Sequence, residues 1–490
     1  MSPDAITDVD VVIIGAGISG LNAAYRLQTD GPPNTSYTVL EERAALGGTW
    51  DLWRYPGIRS DSDIFTFSFA WNPWPGDATL ASGQEIQDYM VDSAHRAGLH
   101  RHIRYRHKVT RADWDSALAR WHVSAAADGV GGVGGVVVFR SRFVFLGTGY
   151  YDYETPLQSS IPGLDSFRGT VIRPQFWPAS YDYTDRDMVI IGSGATAVSI
   201  LPAVAERVRH VTMLQRSPTY YLSVSRRGRV SRALMSVLPA GLARRMNRYG
   251  FLLRDYLFIG ACRRFPRLMR RLLEHLAVRQ LPDDGTRWER HFSPRYNPWE
   301  QRLCAVMDND LFKALRSGKA SVVTGCIDAV TEHGIRLVTG ETLPADVIVA
   351  ATGLQLRFGG GIRFSVDGEP IDPVRRFVWK ACMLQDVPNL VFSFGYENMA
   401  WTLGADCAAE VLLRLIRDLD EAGSQTAVPR LGADKAGMTP KPPFGLSSTY
   451  LRHMTRVFPW AGDGEWRPRS HYVADFWNAK WGPAKELTME

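Results

Sequence analysis

A nearly unbroken run of apolar residues close to the start of the chain gives way to helical spacing. Residues 9–14 read VDVVII, which indicates a buried strand, and Leu21, Ala24 and Leu27 then recur at the interval of one helix face. The same succession returns in DMVIIGSGATAVSILPAVAE at 187–206. The pattern therefore predicts two strand–turn–helix units in a chain of the α/β class.

The turn of the first unit carries Gly15, Gly17 and Gly20 in the order GxGxxG. Such glycines allow a tight turn, let a pyrophosphate approach the backbone, and let the helix pack close to the strand. A second strand, SYTVLEE, then places Glu41 where an acid hydrogen-bonds ribose hydroxyls. Strand, turn, helix and acid together predict a dinucleotide site that contains these four residues.

The second unit has a similar turn and a different strand end. Its candidate cofactor contacts are the residues of the turn and of the first helical turn, namely Gly192, Ser193, Gly194, Thr196 and Ala197, the last in place of the third glycine. The following strand, HVTMLQRSP, ends without an acid. An acid would repel a 2′-phosphate, whereas Arg216 and Ser217 can bind one, so NADPH is predicted rather than NADH.

Three more glycine-rich segments define the organisation of the chain. FVFLGTGYY at 143–151 and DVIVAATGLQ at 346–355 are turns that mark passages between the domains of two-dinucleotide flavoproteins. GVGGVGG at 129–135 also satisfies GxGxxG, but a strand follows it, so it predicts a hairpin. A last strand, loop and helix at 389–418 suit a return of the chain to the first domain.

The formal net charge of +6 is unevenly distributed along the 490 residues. Residues 222–282 contain 14 Arg against Asp255 and Glu274, a local charge of +12, so the remainder of the chain carries −6. The favoured interpretation is a helical cap whose charge attracts an anionic cofactor. Contact with anionic lipid stays open as the alternative, and nucleic-acid binding is not expected because no aromatic-interleaved basic module is present.

Other compositional features exclude several classes of protein. Five scattered cysteines without a CxxC pair fit a reducing cytoplasm and argue against a dithiol–disulfide relay. The histidines form neither HxxxH nor HExxH, so no metal site is predicted. There is no apolar run of about 18 residues and no signal core in MSPDAITDVD, so a cytoplasmic protein is expected.

The stretch GGTWDLWRYPGIRSD at 47–61 resembles the flavin-contact motif of the type I Baeyer–Villiger monooxygenases. The motif positions are matched by Gly48, Trp50, Tyr55, Pro56, Gly57 and Asp61. The order of motifs resembles that family over nearly the whole chain. The amino-acid sequence of residues 50–63, together with YNPWEQRLC at 296–304, is most similar to the ethionamide-activating branch of that family.

This resemblance implies two Rossmann-like domains, an FAD domain interrupted by an NADPH domain that is itself interrupted by a helical insertion. The corresponding division of the chain is 1–152 and 381–490 for the FAD domain, 153–221 and 301–380 for the linker and NADPH domain, and 222–300 for the insertion.

The resemblance also implies the reaction. It is the FAD- and NADPH-dependent insertion of one oxygen atom of O2 beside a ketone carbonyl through a C4a-peroxyflavin, giving an ester or lactone, with sulfoxidation of thioethers alongside. Arg302 holds the family position of the cation that stabilises the peroxide and the oxyanion, and Asp61 that of the carboxylate that orients it. The implied FAD contacts are Gly48, Thr49, Trp50, Asp61 and Val109, while Trp401 either reaches the substrate cavity or packs in the core.

Two departures from the family pattern keep alternatives open. Gln301 stands where many relatives carry a lysine near the NADP phosphate, which leaves more of the phosphate recognition to Arg216. The linker fingerprint FRGTVIRPQFWP at 167–178 has Arg173 where a histidine is expected. We predict an active monooxygenase in which NADPH consumption is less tightly coupled to oxygenation of the substrate. The alternatives are a flavin monooxygenase acting on sulfur or nitrogen, and an uncoupled or non-catalytic flavoprotein.

Overall fold

The amino-terminal part of the chain builds most of one large sheet. The computed structural model describes residues 6–128, 134–283, 288–301, 303–435, 437–445 and 451–490. The strands up to residue 146 are β1 (Thr7–Ile14), β2 (Tyr37–Leu40), β3 (Ile103–Arg104), β4 (His107–Asp115), β5 (Arg120–Ala127) and β6 (Gly135–Leu146). The helices are α1 (Ile18–Asp30), α2 (Thr49–Leu52), α3 (Ile64–Phe67) and α4 (Gly83–Arg96).

The first predicted strand–turn–helix unit is β1 followed by α1, and β1 pairs in parallel with both β2 and β6. The predicted hairpin at 129–135 lies mostly outside the described residues. The strands on either side of it, β5 and β6, pair antiparallel up to Ala127 and Gly135.

The middle of the chain forms a second, smaller sheet and the helical insertion. The strands in this part of the chain, not all of which belong to the second sheet, are β7 (Thr170–Ile172), β8 (Asp187–Ile191), β9 (His210–Gln215), β10 (Tyr221–Val224), β11 (Cys304–Met307), β12 (Ala320–Thr324), β13 (Ile327–Thr331), β14 (Gly334–Leu337), β15 (Thr342–Pro344) and β16 (Val347–Ala350). Its helices are α5 (Ala195–Val204), α6 (Arg229–Val237), α7 (Ala240–Arg264), α8 (Pro266–Val278), α9 (Trp288–Phe292) and α10 (Asp310–Arg316).

The second sheet is parallel throughout, in the order β12-β9-β8-β16-β7. Its first unit, β8 followed by α5, is the second predicted strand–turn–helix. Helices α6 to α8 lie between β10 and β11, which pair in parallel with Tyr221 opposite Cys304. Within the described ranges, no helix combines the length and the apolar character needed to cross a bilayer.

The last part of the chain returns to the first sheet. Its strands are β17 (Arg363–Val366), β18 (Glu369–Pro370), β19 (Val378–Trp379), β20 (Met383–Leu384), β21 (Leu390–Phe392), β22 (Ala427–Pro429) and β23 (Leu487–Met489), and its helices are α11 (Trp401–Ala422) and α12 (Tyr472–Trp481). The order in the first sheet is β18-β17-β4-β5-β6-β1-β2-β3, with β21 also beside β6.

The return of the chain comes earlier than the sequence-based division places it. Strand β17 pairs in parallel with β4 of the first sheet, and β19 and β20 continue that sheet through β21. Strands β17, β18 and β19, which the division assigns to the NADPH domain, therefore belong to the first sheet. The chain crosses back directly after β16, at the glycine turn of 351–353.

The two passages between the sheets lie side by side. We call residues 150–152 and 355–357 the crossing pair, because they run antiparallel and the Asp152 N–H donates to the Gln355 carbonyl at 2.8 Å. The linker joins them, since Gln175 Nε2 donates to the Asp152 carbonyl at 2.6 Å. The segments that connect the two domains are thus hydrogen-bonded to one another.

Candidate functional site

The first glycine turn leaves the start of α1 open. Gly15 has φ +100°, and a Cβ added there would lie 2.7 Å from the carbonyl oxygen of Gly147. A Cβ at Gly20 would lie 1.9 Å from the Gly15 oxygen, so the helix packs directly on the strand end. Gly17 caps the helix without a side-chain hydrogen bond. The free N–H groups and the positive end of the helix dipole form the kind of site that a diphosphate occupies.

Glu41 follows β2 and points at this turn. Its carboxylate accepts hydrogen bonds from the Ala16 N–H at 2.7 Å and the Arg43 N–H at 2.9 Å, and the residue is buried. Burial raises the pKa of Glu41, and the two N–H donors oppose that shift. Val109 lies buried in β4, two residues after His107, whose N–H donates to the Glu41 carbonyl at 2.8 Å. Both predicted contacts therefore lie near the first turn.

The stretch 47–61 begins against the first glycine turn. A Cβ added at Gly48 would lie 3.3 Å from the Cα of Gly17. The Thr49 hydroxyl lies 3.0 Å from the hydroxyl of Tyr153, and burial raises the pKa of Tyr153 to about 12. Tyr153 is a site residue that the motif analysis missed, although it stands just after the glycine turn of 147–149.

The far end of the same stretch contacts α5 of the second domain. Gly57 has φ +77°, and a Cβ there would lie 2.2 Å from the carbonyl oxygen of Ser199. The buried Tyr55 hydrogen-bonds Thr196, and burial raises the pKa of Tyr55, with the nearby Asp61 carboxylate adding to the shift. The stretch 47–61 therefore contacts the helix that follows each glycine turn, α1 at its beginning and α5 toward its end. Thr196 of α5 contacts the stretch directly.

The predicted catalytic pair is only half described. Asp61 is exposed at the end of the stretch 47–61, while Arg302 lies outside the described residues. Among the neighbours of Arg302 in the chain, Cys304 begins β11 and its Sγ lies 3.6 Å from the carbonyl oxygen of Ser193 in the second glycine turn. The pairing of Asp61 with Arg302 stays a prediction.

Trp50 packs against the first domain, and its indole meets Phe67 edge-on with ring centroids 5.7 Å apart. Close by, Arg59 forms a salt bridge with Asp310 at the first turn of α10. The side chain of Arg59 is 4% exposed and that of Asp310 is 25% exposed, so this ion pair is a partly buried link between the two domains. No sequence motif identifies this pair.

The second glycine turn repeats the features of the first. Gly192 has φ +132°, and a Cβ there would lie 2.3 Å from the carbonyl oxygen of Ala351. Gly194 caps α5 without a side-chain hydrogen bond, and a Cβ on it would meet no described atom within 4 Å. Ala197, in place of the third glycine, is fully buried. The start of α5 is therefore a second open helix end suited to a diphosphate.

Two arginines lie at the carboxyl end of the second sheet. Arg216 and Ser217 are exposed directly after β9, while the preceding Gln215 is buried and donates to the Thr324 hydroxyl at 2.9 Å. Arg290 of α9 donates to the Thr324 carbonyl at 3.4 Å. Sequence reasoning missed Arg290, because only the fold brings α9 to the end of β12.

Helix α7 ties the insertion to the first domain through one buried arginine. Arg248 Nη1 donates to the carbonyl oxygens of Phe65, Thr66 and Ser68 at 3.0, 3.2 and 2.9 Å. Its Nη2 lies 3.4 Å from Asp406 Oδ2 on α11. Burial raises the pKa of Asp406, and Arg248 is the largest opposing influence.

The same helix also supports the segment that leads to Arg302. Phe258 of α7 meets Trp299 edge-on with ring centroids 6.4 Å apart, and Cys262 lies beside that indole. Both flanks of the predicted catalytic pair, the segment after Asp61 and the segment before Arg302, therefore pack on α7.

Trp401 lies beside the first turn of α1. Its Nε1 donates to the Ser19 hydroxyl at 2.9 Å, and its ring stacks on Tyr150 at 4.8 Å. Its ring also meets Phe394 at 5.8 Å. Phe394 lines a small apolar cavity of about 20 Å³, together with Val378, Phe392, Phe458, Trp466 and Arg469. These contacts give Trp401 a packing role between α1 and the residues that line this space.

The linker fingerprint packs on the second sheet. A Cβ at Gly169 would lie 2.3 Å from the carbonyl oxygen of Asp346, and Trp177 meets Tyr183 edge-on at 6.0 Å. Arg173 is half-buried between β7 and the turn that follows. Within the described part of the chain, its guanidinium makes no hydrogen bond or ion pair.

Comparisons with known proteins agree with this geometry. Residues 13–74 match the model of the NAD(P)-binding Rossmann-like domain. The chain is 42% identical over 470 residues to the FAD-containing monooxygenase EthA of Mycobacterium tuberculosis, with 95% of this chain and 94% of that protein covered.

Two solved structures share the fold. One is an oxidized steroid monooxygenase bound to NADP, with a TM-score of 0.75 at 20% identity and 99% of both chains covered. The other is cyclohexanone-bound cyclohexanone monooxygenase, with a TM-score of 0.69 at 21% identity, covering 87% of this chain and 89% of that one. Because the identity to EthA extends over nearly the full length of both proteins, this chain belongs to the family of FAD-containing monooxygenases and has the fold of the Baeyer–Villiger enzymes.

Proposed function

We propose that this flavin monooxygenase takes electrons from NADPH and inserts one oxygen atom of O2 beside a ketone carbonyl, giving an ester or lactone. FAD and NADPH are its cofactors, and thioethers are second substrates that it converts to sulfoxides. The observation that carries the proposal is the stretch 47–61, which begins against the first glycine turn and ends against α5 of the second domain. In this proposal Asp61, at the end of that stretch, acts between the two nucleotide sites.

The first site fits FAD. The open start of α1 receives the diphosphate, and Glu41, already aimed at the Ala16 N–H of the same turn, is placed for the ribose hydroxyls. Gly48, Thr49 and Trp50 continue from that turn toward the reacting end. When bound, FAD supplies the activation of O2, and these residues hold and orient it.

The second site fits NADPH. The start of α5 receives the diphosphate, and Arg216 with Ser217 stands where an acid would reject a 2′-phosphate. Arg290 brings a second guanidinium to the same sheet end. Two guanidinium groups offer a phosphate several charge-assisted hydrogen bonds, which compensates for Gln301.

The reacting centre needs a fixed cation. Arginine stays protonated at any working pH, so Arg302 stabilises the developing oxyanion without losing its own charge, and Asp61 orients the guanidinium. Support for this arrangement comes from α7, which contacts the chain just after Asp61 through Arg248 and the chain just before Arg302 through Phe258. A site held on a rigid helix keeps the distance between such groups constant.

The experiment is a three-way balance on the FAD-loaded enzyme. NADPH consumed, H2O2 released and oxygenated product formed are measured together over a panel of ketones, thioethers and amines. Ester or lactone in proportion to NADPH supports the proposal. Products from sulfur or nitrogen alone would replace it with the related monooxygenase function, and H2O2 alone would indicate an uncoupled flavoprotein.

The Arg302→Ala variant tests the assigned cation. We expect it to bind FAD and to be reduced by NADPH, and to lose ester formation while H2O2 rises. Asp61→Ala should show a weaker form of the same defect, because it acts through Arg302. Arg295→Ala, an exposed arginine seven residues earlier, is the matched control. A normal lactone yield from Arg302→Ala would remove that residue from the mechanism.

A further inference from the structure

The outer side of α7 carries a continuous stripe of apolar side chains in solvent. Its members are 44–66% exposed and follow one another at intervals of three or four residues, namely Leu242, Met246, Tyr249, Leu253 and Leu257. That interval places them on one face of the helix. Single exposed apolar residues are ordinary, but a contiguous set of this kind marks an interaction surface.

Neither of two simpler explanations accounts for the stripe. It is not the packed side of α7, since that side is made of Ala243, Asn247, Leu252, Ile259 and Cys262, which are all buried. It is not a short local exposure either, because α8 and the residue before it add a second stripe of Phe265, Leu268, Leu272 and Leu276, which are 41–64% exposed.

A third stripe comes from the other end of the chain. Val473, Trp477 and Trp481 of α12 are spaced by four residues and are 64, 53 and 60% exposed. The start of α12 adjoins α7, where the rings of Tyr256 and His471 lie 5.5 Å apart. We call the exposed apolar residues of α7, α8 and α12, with Phe265, the apolar face.

Arginines lie on the same helices of the insertion as this face. Some are paired, as Arg254 is with Asp255 and Arg263 with Glu397. Others are exposed, and no carboxylate of a described residue lies within ion-pair distance of them, namely Arg229, Arg245, Arg264, Arg267 and Arg271. Helices that carry both exposed apolar side chains and unpaired guanidinium groups are complementary to a surface that is apolar beneath and negatively charged on top.

We propose that the apolar face and its arginines dock this protein on the surface of an anionic lipid bilayer. The leucines enter the boundary between headgroups and acyl chains, and the helices lie parallel to the membrane plane. The arginines bury their aliphatic parts beside them and extend their charges to lipid phosphates. Trp477 and Trp481 supply the indoles that prefer the headgroup level.

A second copy of this chain fits the face less well. Two such faces would bring together two insertions that each carry +12 over residues 222–282, and like charges at an interface oppose association. Docking through the apolar face of α7, α8 and α12 is independent of the oxygenation chemistry.

The experiment is vesicle flotation of the FAD-loaded enzyme. We expect the protein to float with vesicles of equimolar phosphatidylcholine and phosphatidylglycerol, to remain unbound with phosphatidylcholine alone, and to bind less as salt is raised. The triple variant Leu253→Ser, Leu257→Ser, Leu268→Ser removes apolar contact, and the triple variant Arg245→Gln, Arg267→Gln, Arg271→Gln removes unpaired charge. Each should lower binding to the anionic vesicles by roughly tenfold or more.

Matched controls remove comparable groups from other surfaces. Leu118→Ser with Val338→Ser replaces apolar residues that are 50 and 69% exposed, and Arg101→Gln with Arg363→Gln replaces exposed arginines. All variants should keep the flavin spectrum and the NADPH oxidation rate in solution, which separates docking from folding. A wild type that does not float, or test variants that float as well as the controls, would overturn the proposal.

Two further measurements address the remaining explanations. Lipids brominated in their acyl chains should quench less of the tryptophan emission in Trp477→Phe, Trp481→Phe than in the wild type, and equal quenching would contradict insertion at α12. Sedimentation velocity without lipid should find the same species for the wild type and for the leucine variant. A wild-type oligomer that the leucine variant abolishes, with flotation unchanged, would assign the face to a second copy and refute lipid docking.

Discussion

Replacing Arg248 by methionine should destabilise the first domain more than any other single change in the insertion. The wild-type side chain is 11% exposed, and it pairs with Asp406, which is 1% exposed. Removing one partner of a buried pair costs about 3–5 kcal/mol, because the other charge stays buried without compensation. The carbonyl oxygens of residues 65, 66 and 68 also lose their shared donor.

Remaining contacts of Asp406 moderate this loss. Its carboxylate still accepts from Asn22 Nδ2 at 3.1 Å and from the Tyr472 hydroxyl at 3.2 Å. We therefore expect about 3–4 kcal/mol, in the lower part of that range. The double variant Arg248→Met, Asp406→Asn should recover part of the loss, since no unpaired charge is then left in the interior.

The assay is urea denaturation followed by FAD fluorescence and by far-ultraviolet circular dichroism. Two probes are needed because a chain with several domains need not unfold in one step. Arg245→Met, on the same helix but exposed, is the matched control and should stay within about 0.5 kcal/mol of the wild type. An Arg248→Met midpoint equal to that of the control, or a double variant less stable than the single one, would refute the reasoning.

Three further predictions address cofactor choice, pH and coupling. Arg216→Ala should lose about 1.5–3 kcal/mol in kcat/KM for NADPH and much less for NADH, and equal losses would contradict the assignment of the 2′-phosphate. Burial raises the pKa of Asp63 from 3.8 to about 6, with Asp255 adding to the shift. As the pH rises from about 3.8 to about 6, Asp63 of the unfolded chain releases its proton before Asp63 of the folded protein does. Ionisation therefore favours the unfolded chain, and the free energy of unfolding falls by about 2–3 kcal/mol. Asp63→Asn, which can still cap α3, should therefore have a higher urea midpoint than the wild type at about pH 7 and an equal one at about pH 4, and a constant difference would be inconsistent. Arg173→His should leave flavin reduction unchanged and lower the H2O2 released per NADPH. If the wild type is already fully coupled and the variant is worse, the arginine is an adapted part of the linker.

Local patterns predicted the nucleotide folds because the required geometry is local. The positive φ of Gly15 and Gly192 and the close approach of Gly20 to the strand end follow from a glycine turn between strand and helix. The membership of β17 in the first sheet is not visible in the sequence for the opposite reason. Strand β17 has four residues and pairs with β4, which lies about 250 residues earlier in the chain. No short-range sequence pattern therefore predicts this pairing.

The insertion shows the same limit for side chains. Arg248 is one of 14 arginines in residues 222–282, and only the packing of α7 decides that it is buried. The sequence pattern of this stretch predicts a helical cap whose charge attracts an anionic cofactor, and it does not identify an exposed apolar side. Because α7 is apolar on both its packed and its outer sides, the sequence alone does not tell which leucines face solvent.

The crossing pair defines how the two cofactor-binding sheets can move. The two segments that connect the sheets, 150–152 and 355–357, run side by side and are hydrogen-bonded to each other. A displacement of one domain relative to the other therefore strains both segments together. Pulling the domains apart would stretch extended chain and break those bonds, whereas twisting about the common line changes backbone dihedrals by small amounts. A rotation of one domain about this common line is therefore expected to cost less than a translation that separates the two domains.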